Sequence, residues 1–428
     1  MRAIFLFKRD LRLKDNRALE FAVRNFSQIV PVFIFDNDIL NNLKVDSKRL
    51  SYIVEALEII SQKIKLYCLK DNTISALKRV FEIARPKAFI ESKPLTWSGK
   101  ERSYKISSLC KEYGIEYYAI LDNVIAPIFD ISPTQVFTPF YKKWINFVDI
   151  SRSDIPDFSV PDLNLPLLKD IKPQLYTEKL NIFSPRDCKD RMLNFDYSSY
   201  QEKRNSPAID GTSKLSPCIR FGILSPREIF SFVLNKSEQF IKELAWREFW
   251  YHISWHYPQS KDLELNPKRQ GIRWQNDQHL IDAFLNAKTG YPIVDAGIRQ
   301  LTQEKWLHNR VRMIVASFLT KVLLVDWRIG ERFFMEHLID YDEAVNTHSW
   351  QWSASVGADP RPFRLFNPML QSSRHDPDCI YIKRYIPELS GEDCEALHDP
   401  LKFKLKYHKP VVNYYERIAL AREVYRLR

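Results

Sequence analysis

Residues 3–120 alternate short apolar runs with apolar positions at helical spacing. Ala3-Ile4-Phe5-Leu6-Phe7 reads as a strand, and Asp15 or Asn16 can cap a helix running to about Asn25. Ile29 to Phe35 is a second strand. A helix is expected from Asp46 to Lys63, where Leu50, Ile53, Val54, Leu57 and Ile60 share a face. Lys65 to Leu69 is a third strand, Thr73 to Ala84 a helix, and Ala88-Phe89-Ile90 a fourth strand. Trp97 to Tyr113 reads as a helix ended by Gly114, and Ile115 to Ile120 as a fifth strand. Strands joined by crossover helices predict a doubly wound parallel sheet in an α/β domain, residues 1–125.

The pattern then changes. Pro127, Pro133, Pro139, Pro156, Pro161, Pro166, Pro173 and Pro185 interrupt a stretch of little periodicity, so 126–185 reads as a connector laid over the surface. Beyond it strand signals almost vanish. Pro226 to Leu234, Phe240 to His256, His279 to Ala287, Ile293 to Leu301, Arg310 to Leu324, Arg332 to Leu338 and Tyr414 to Arg426 carry helix-spaced apolar residues. Residues 186–428 are therefore expected to form an all-α domain.

Composition narrows the classes. The chain has 428 residues, 45% hydrophobic and 27% charged, as expected of a globular protein with a full core. Lys and Arg number 64 against 53 Asp and Glu, and the net charge of +11 permits an anionic partner, nucleic acid first, or a merely solvated surface. The 6 cysteines form no CxxC pair, so neither a disulfide framework nor a zinc knuckle is expected, and a reducing, cytoplasmic setting fits. No apolar run has the length of a signal-peptide core or a membrane span. Gly99 is the first of only 10 glycines, which excludes a GxGxxG turn after the first strand and a Walker loop near the N-terminus. Eight of the 10 tryptophans fall between Trp246 and Trp352.

Several constellations in the helical half could carry chemistry. In FIKELAWREFWYHISWH, Glu243, Trp246, Arg247 and Trp250 share one helical face. That face suits a flat heterocycle beside a phosphate, or else is an ion pair among aromatic packing. His252 and His256 stand one turn apart with no third ligand in sequence, so a structural pair is expected and no metal. Gly211-Thr212-Ser213-Lys214-Leu215-Ser216-Pro217 offers hydroxyls and a cation ahead of a helix, for phosphate binding or simple capping. Asn309 and Met313 share a face beside Arg310 and Arg312. Asp340-Tyr341-Asp342 could accept ribityl or ribose hydroxyls, or cap the next helix. Trp350-Gln351-Trp352 leads into the basic loop Gly357-Ala358-Asp359-Pro360-Arg361-Pro362-Phe363-Arg364, fit for phosphate contacts.

With these residues in order, the chain resembles the DNA photolyase/cryptochrome family across nearly its whole length. FLFKRDLRLKDNRAL, GTSKLSPCIRFGILSPRE, ELAWREFWYH, KTGYPIVDAGIRQL, WLHNRVRM and NTHSWQWSASVGADPRPFRLFNP carry the likeness. It looks most like a class I cyclobutane pyrimidine dimer photolyase. The resemblance implies light-dependent repair of DNA through photoexcited reduced FAD. The alternative is a cryptochrome-type blue-light photoreceptor without repair activity; the chain ends soon after the last helix, which argues against a signalling extension. A monomer acting on damaged DNA is expected, with no membrane partner.

Carried over residue by residue, the resemblance implies that Tyr200, Thr212, Ser213, Lys214, Leu215 and Ser216 hold the phosphate and adenosine side of FAD, while Phe240 stands where the family has an aromatic contact to the flavin. Arg312, Asp340, Tyr341 and Asp342 would serve the ribityl and ring side, with Arg312 pairing Asp340. Asn346 stands where photolyases keep an Asn beside the flavin ring. Glu243, Trp246, Asn309, Met313 and Trp352, with Trp250 on the same helical face, match the dimer pocket. Arg204, Arg247, Arg310, Arg364 and Gln371 match phosphate-facing positions. Trp350, Trp327 and Trp274 match the chain of tryptophans that reduces the flavin. A second, light-harvesting chromophore is implied. In Trp97-Ser98-Gly99-Lys100-Glu101-Arg102, Lys100 replaces the Asn of the folate pattern, so a flavin or deazaflavin is expected rather than a folate.

Overall fold

The five strands are β1 (Arg2–Leu6), β2 (Gln28–Asp36), β3 (Tyr67–Asp71), β4 (Ala88–Ser92) and β5 (Glu116–Ile120). All neighbours run parallel, in the order β3-β2-β1-β4-β5. On the central strand Ile4 lies between Val30 and Phe89, and Ala3, Ile4 and Phe5 are wholly buried. Ala3 to Leu6 are buried in succession, so both faces of the sheet are covered and β1 after Arg2 is apolar and not alternating. The crossovers are Arg17–Asn25, Ser47–Ser61, Thr73–Ala84 and Trp97–Glu112. Asn16 caps the first through its side chain, 3.0 Å from the Leu19 amide, and Asn72 caps the third in the same way, 3.0 Å from that of Ile74. These coordinates are a computed structural model that describes residues 1–42, 47–175, 177–180, 184–359, 361 and 363–426. Asp46, the expected start of the second crossover, lies outside the described residues, as do Pro360 and Pro362 of the basic loop.

The chain forms two compact units. The first comprises Met1–Pro133, Pro139–Tyr197 and Lys214–Trp255; the second comprises Thr134–Thr138, Ser198–Ser213 and His256–Arg428. The sequence boundaries at 125 and 185 are drawn differently, because much of the connector packs on the sheet. Backbone bonds tie Ile29 to Ser159 and Cys68 to Pro166 along the sheet, both at 2.9 Å.

The connector also holds a helix, Phe137–Trp144, that the prolines hid. Phe140 and Trp144 are one turn apart and wholly buried against the long helix Glu238–His256. There the Trp144 indole donates to Glu248 at 2.7 Å, and the Ile125 and Ala126 amides donate to the same carboxylate at 2.5 and 3.1 Å. Burial raises the pKa of Glu248 to about 6. Arg227, fully buried, bridges Asp15 and Asp122, and Arg12 pairs with Asp122 at 2.5 Å. One disulfide, Cys188–Cys218, joins Cys188–Asn194 to Ser216–Arg220, and the Tyr52 hydroxyl lies 3.2 Å from one sulfur and 3.5 Å from the other. The expectation that the cysteines are reduced is corrected at this pair. Its members are 30 residues apart, so only the tertiary packing brings them together.

The second unit is helical: Gln278–Leu285, Pro292–Glu304, Asn309–Ser317, Trp327–His337, Glu343–Ser353, Pro368–His375 and Tyr414–Arg426 are its main elements. The helix expected from Arg310 to Leu324 stops at Ser317, and a π-helical turn, Phe318–Val322, follows. That turn carries Lys321, wholly buried, whose amino group donates to the carbonyls of Ser353 and Arg364. Among the described residues no helix is long and apolar enough to cross a membrane, and no cluster of three or more His, Cys, Asp or Glu could hold a metal ion.

Candidate functional site

In the second unit, Trp327–His337 and Glu343–Ser353 are joined by the Asp340-Tyr341-Asp342 turn. Asp342 is the cap of the second of these helices and accepts from the Val345 amide at 3.3 Å. Asp340 receives the Arg312 guanidinium on both oxygens, at 3.2 and 2.9 Å, while Arg312 Nε holds the Leu307 carbonyl. One turn beyond the cap, Asn346 is 7% exposed. Its Nδ2 donates to the Glu331 carbonyl at 3.0 Å and to Glu331 Oε1 at 2.8 Å. Both amide protons are thereby used, and Oδ1 is the atom left to accept. Burial raises the pKa of Glu331, and the bonds from Asn346 and Thr347 oppose that rise. Glu331 is a positioning residue that no local pattern marks, since its partner Asn346 lies on another helix.

Trp350 and Trp327 are buried and Trp274 is half-buried. The Trp350 ring lies against Phe334, 4.8 Å between centroids, and its Nε1 is buried without a partner. Gly330 makes that position possible: a Cβ there would stand 2.2 Å from the indole. Trp327 is three residues before Gly330 on the same helix face. Its Nε1 donates to Glu264 at 3.2 Å, and Arg328 lies over its ring at 4.6 Å. Trp274 packs edge-on against Tyr425, and the following amide, Gln275, bonds to the Leu324 carbonyl just ahead of Trp327.

Asn309 opens its helix and is exposed; Met313, one turn on, is half-buried, with 3.9 Å between the amide and the thioether. The preceding His308 caps that helix, its Nδ1 accepting from the Arg310 amide at 3.2 Å. Arg310 faces a cavity of about 300 Å³ whose lining also includes Arg361, Arg364, Gln371, Arg374 and His375. Burial, then Arg204 and Arg374, lower the pKa of Arg310. Arg310 Nη2 bonds to Asn205 at 2.7 Å, while its Nε and the Gln371 Oε1 are buried without partners. Arg364 lies 4.5 Å over the Trp352 ring and is held by Asp359 through two bonds, 2.6 and 3.0 Å. An aromatic platform thus borders a cationic cavity. Also in this unit, Arg204 lies 5.6 Å from the Tyr200 ring, and Thr212 and Ser213 follow Gly211, where a Cβ would meet the Lys203 carbonyl at 2.7 Å.

In the first unit, Glu238–His256 carries the remaining residues. Gln239 donates to Glu243 at 2.7 Å. Trp246 is half-buried, and Trp250 lies buried behind it, 5.3 Å between centroids. Arg247 gives its two nitrogens to the Asn123 carbonyl (3.0 Å) and the Tyr251 hydroxyl (3.2 Å). Phe240 packs edge-on to Tyr197 at 4.9 Å. His252 bonds to the Ile128 carbonyl at 3.0 Å, as a structural histidine does. Lys214 has a positive φ of 49°, and Leu215 and Ser216 lead into the short helix Ser216–Arg220.

A family model described as DNA photolyase matches residues 3–158, and one described as the FAD binding domain of DNA photolyase matches residues 240–426. A deoxyribodipyrimidine photo-lyase of Synechococcus is 34% identical over 428 residues, covering 90% of this chain and 88% of that protein. The chain belongs to the DNA photolyase family. An archaeal photolyase from Sulfolobus tokodaii, solved with two FAD molecules, matches with a TM-score of 0.93 and 32% identity over 100% of both chains. A Synechocystis cryptochrome, TM-score 0.90 and 24% identical over 99% of both chains, shares the fold.

The donor set suits the FAD of a photolyase FAD-binding domain. Asp340 and Asp342 offer carboxylates to hydroxyls, Arg312 balances their charge, and Asn346 presents a fixed amide oxygen. The family resemblance pointed to Arg312 pairing Asp340, and the structure contains that ion pair.

Proposed function

We propose that the protein is a light-dependent deoxyribodipyrimidine photolyase that splits cyclobutane pyrimidine dimers in DNA, and that it is of the class I type. The observation that carries this is the Arg364-capped Trp352 ring at the edge of a cavity lined by four arginines. Stacked aromatics hold unpaired bases, and arginines hold the backbone beside them. Relatives named deoxyribodipyrimidine photo-lyase, at about a third identity over most of the chain, support the same reading.

Arg204, Arg247, Arg310, Arg364 and Gln371 are assigned to DNA phosphates, which bind any sequence and lose strength with salt. Photolyases are among the enzymes that take their target out of the stack, and a dimer stacks and pairs too poorly to resist. Trp246 and Trp352 are assigned to stack on the extruded dimer, with Asn309 and Met313 as further contacts and Trp250 supporting Trp246. Tyr200, Thr212, Ser213, Lys214, Leu215 and Ser216 are assigned to the phosphates and adenosine of FAD, Phe240 to an aromatic contact with the flavin, and Arg312, Asp340, Tyr341, Asp342 and Asn346 to its ribityl and ring side. When bound and reduced, FAD supplies an electron on absorbing blue light and takes it back after the dimer opens. Glu243 would stabilise the dimer by a hydrogen bond where negative charge develops. Trp350, Trp327 and Trp274 form a path from buried to half-buried rings for electrons drawn from solution.

The functional parts are taken as residues 1–125 for light harvesting, 126–185 as connector and 186–428 for FAD and DNA. For the second chromophore we favour a flavin. Lys100 stands over Trp255 at 3.8 Å and Lys93 over Phe129 at 4.1 Å, with burial and Lys93 lowering the Lys100 pKa to about 8, so cations fill the position that a folate-binding Asn would take. The Sulfolobus relative's two FAD molecules agree with that choice.

The test is a purified sample examined for flavin absorbance and, in the dark, for binding to duplexes with and without a dimer. Flavin together with tighter binding to the dimer is expected. Absence of flavin, or equal affinity for both duplexes, overturns the reading.

A further inference from the structure

His375 ends Pro368–His375 and is half-buried in the wall of the cationic cavity. Imidazole titrates near pH 6.5 in water, but burial, Arg310 and Arg374 lower this group to about 4. The cations facing it come from several elements: Arg374 on its own helix, Arg310 on Asn309–Ser317, and Arg361 and Arg364 on the loop. The nearby acids are engaged elsewhere. Asp359 holds Arg364, Asp376 accepts the Tyr381 and Ile382 amides at 2.9 Å each, and Glu304 on Pro292–Glu304 accepts the Tyr385 hydroxyl. His398 on Cys394–His398 bonds to Ser372 at 2.7 Å. Without an anion, a fifth positive charge among these arginines is opposed by Coulomb repulsion. A phosphate diester placed there cancels the repulsion and offers acceptor oxygens.

We propose that His375 takes up a proton when a DNA phosphate seats among the arginines of this cavity, and that the charged imidazole then binds that phosphate. The proposal rests on the DNA-binding reading above. It makes DNA binding tighter as pH falls below about 7, through one identified group. If the bound complex returns the imidazole to its ordinary value of about 6.5, affinity rises about fourfold between pH 8 and pH 6, with uptake of roughly three-quarters of a proton at pH 6. Arginine does not titrate in this range and cannot produce that slope.

The experiment measures Kd for a dimer-containing duplex without terminal phosphates, by fluorescence anisotropy at fixed ionic strength, at pH 6 and pH 8. Wild type, His375→Gln and Arg310→Ala are compared. Calorimetry at pH 6 in two buffers of different ionisation enthalpy counts the protons. The expected result is a pH 6 to pH 8 affinity ratio about fourfold larger in wild type than in His375→Gln, with the proton uptake reduced in the variant. Equal ratios and equal uptake in the two overturn the proposal, and a fold defect in the variant would not imitate the expected result, because it changes affinity at both pH values. If Arg310→Ala binds DNA as wild type does, the DNA-binding reading fails and takes the proposal with it. If Arg310→Ala weakens binding while His375→Gln keeps the wild-type ratio, only the role of His375 falls.

Discussion

Lys321→Met is predicted to change how stability depends on pH. Lys321 is wholly buried, and its amino group donates to the carbonyls of Ser353, at 2.5 Å, and of Arg364. It therefore pins the end of Glu343–Ser353 to the loop that carries Arg364. Burial lowers its pKa from 10.5 to about 7, with Arg364 and Arg269 adding to the fall and Asp359 opposing it. A base whose folded pKa is depressed contributes stability that is full above the unfolded value, about 10.5, and is lost as pH falls toward 7. One pKa unit is about 1.4 kcal/mol, so between pH 9 and pH 7 the loss is about 2 kcal/mol. For a unit of this size that corresponds to roughly 4–8 °C in Tm. Methionine has no proton to gain. It also leaves two carbonyls unpaired, at about 1–3 kcal/mol each, but that cost does not vary with pH. Thermal melts of both proteins at pH 7 and pH 9, at one salt concentration, isolate the lysine, since every other titration cancels in the difference. Wild type should gain those degrees over the variant on going from pH 7 to pH 9. A difference that stays the same at both pH values refutes a Lys321 pKa depressed by burial.

Three further outcomes are expected. Trp350→Phe should greatly slow light-driven reduction of oxidised flavin while leaving repair by pre-reduced protein nearly intact, and Gly330→Ala, which drives a methyl group into the Trp350 ring, should slow photoreduction too; equal loss of repair in pre-reduced Trp350→Phe would remove Trp350 from the electron path. Arg310→Ala and Arg364→Ala should weaken damaged and undamaged DNA alike and each flatten the salt dependence by about one unit of slope, whereas Trp246→Ala should cost roughly 1–3 kcal/mol on dimer-containing DNA alone; equal loss on both DNAs would make Trp246 a packing residue. Cys188→Ser should destabilise the protein by about 3–4 kcal/mol, the loop-closure value for a 30-residue separation, and a reductant should lower the wild-type Tm but not the variant's; reductant-insensitive melting of the wild type would show the bridge to be dispensable.

Local pattern made the sheet legible. Each strand is an apolar run between turn residues, and the crossover helix Thr73–Ala84 matches its expected ends because Asn72 caps it and Arg85 turns out of it with a φ of 44°. The third strand was displaced by two residues, since Tyr67, Cys68 and Leu69 pair with β2 while Lys65 reaches out to Asp162. The capping reading of Asp342 was available from its place before a helix. What depended on distant partners was not legible. Glu331 is known as a support only from its bonds to Asn346, Glu248 only from Trp144 and the connector amides, and Lys321 only from two carbonyls more than thirty residues away. The burial of Trp250 behind Trp246 likewise follows from packing around the helix and not from its spacing, which gives both rings the same face.

The most direct test of the central claim is repair itself. Protein with chemically reduced flavin is mixed anaerobically with one oligonucleotide holding a single cyclobutane thymine dimer and with another holding a (6-4) product, and each is followed by chromatography in blue light and in the dark. The account predicts restoration of the two thymines from the cyclobutane dimer in light only, with negligible turnover of the (6-4) product. Intact dimer after illumination of flavin-loaded, DNA-bound protein would contradict it and leave a photoreceptor on the same fold.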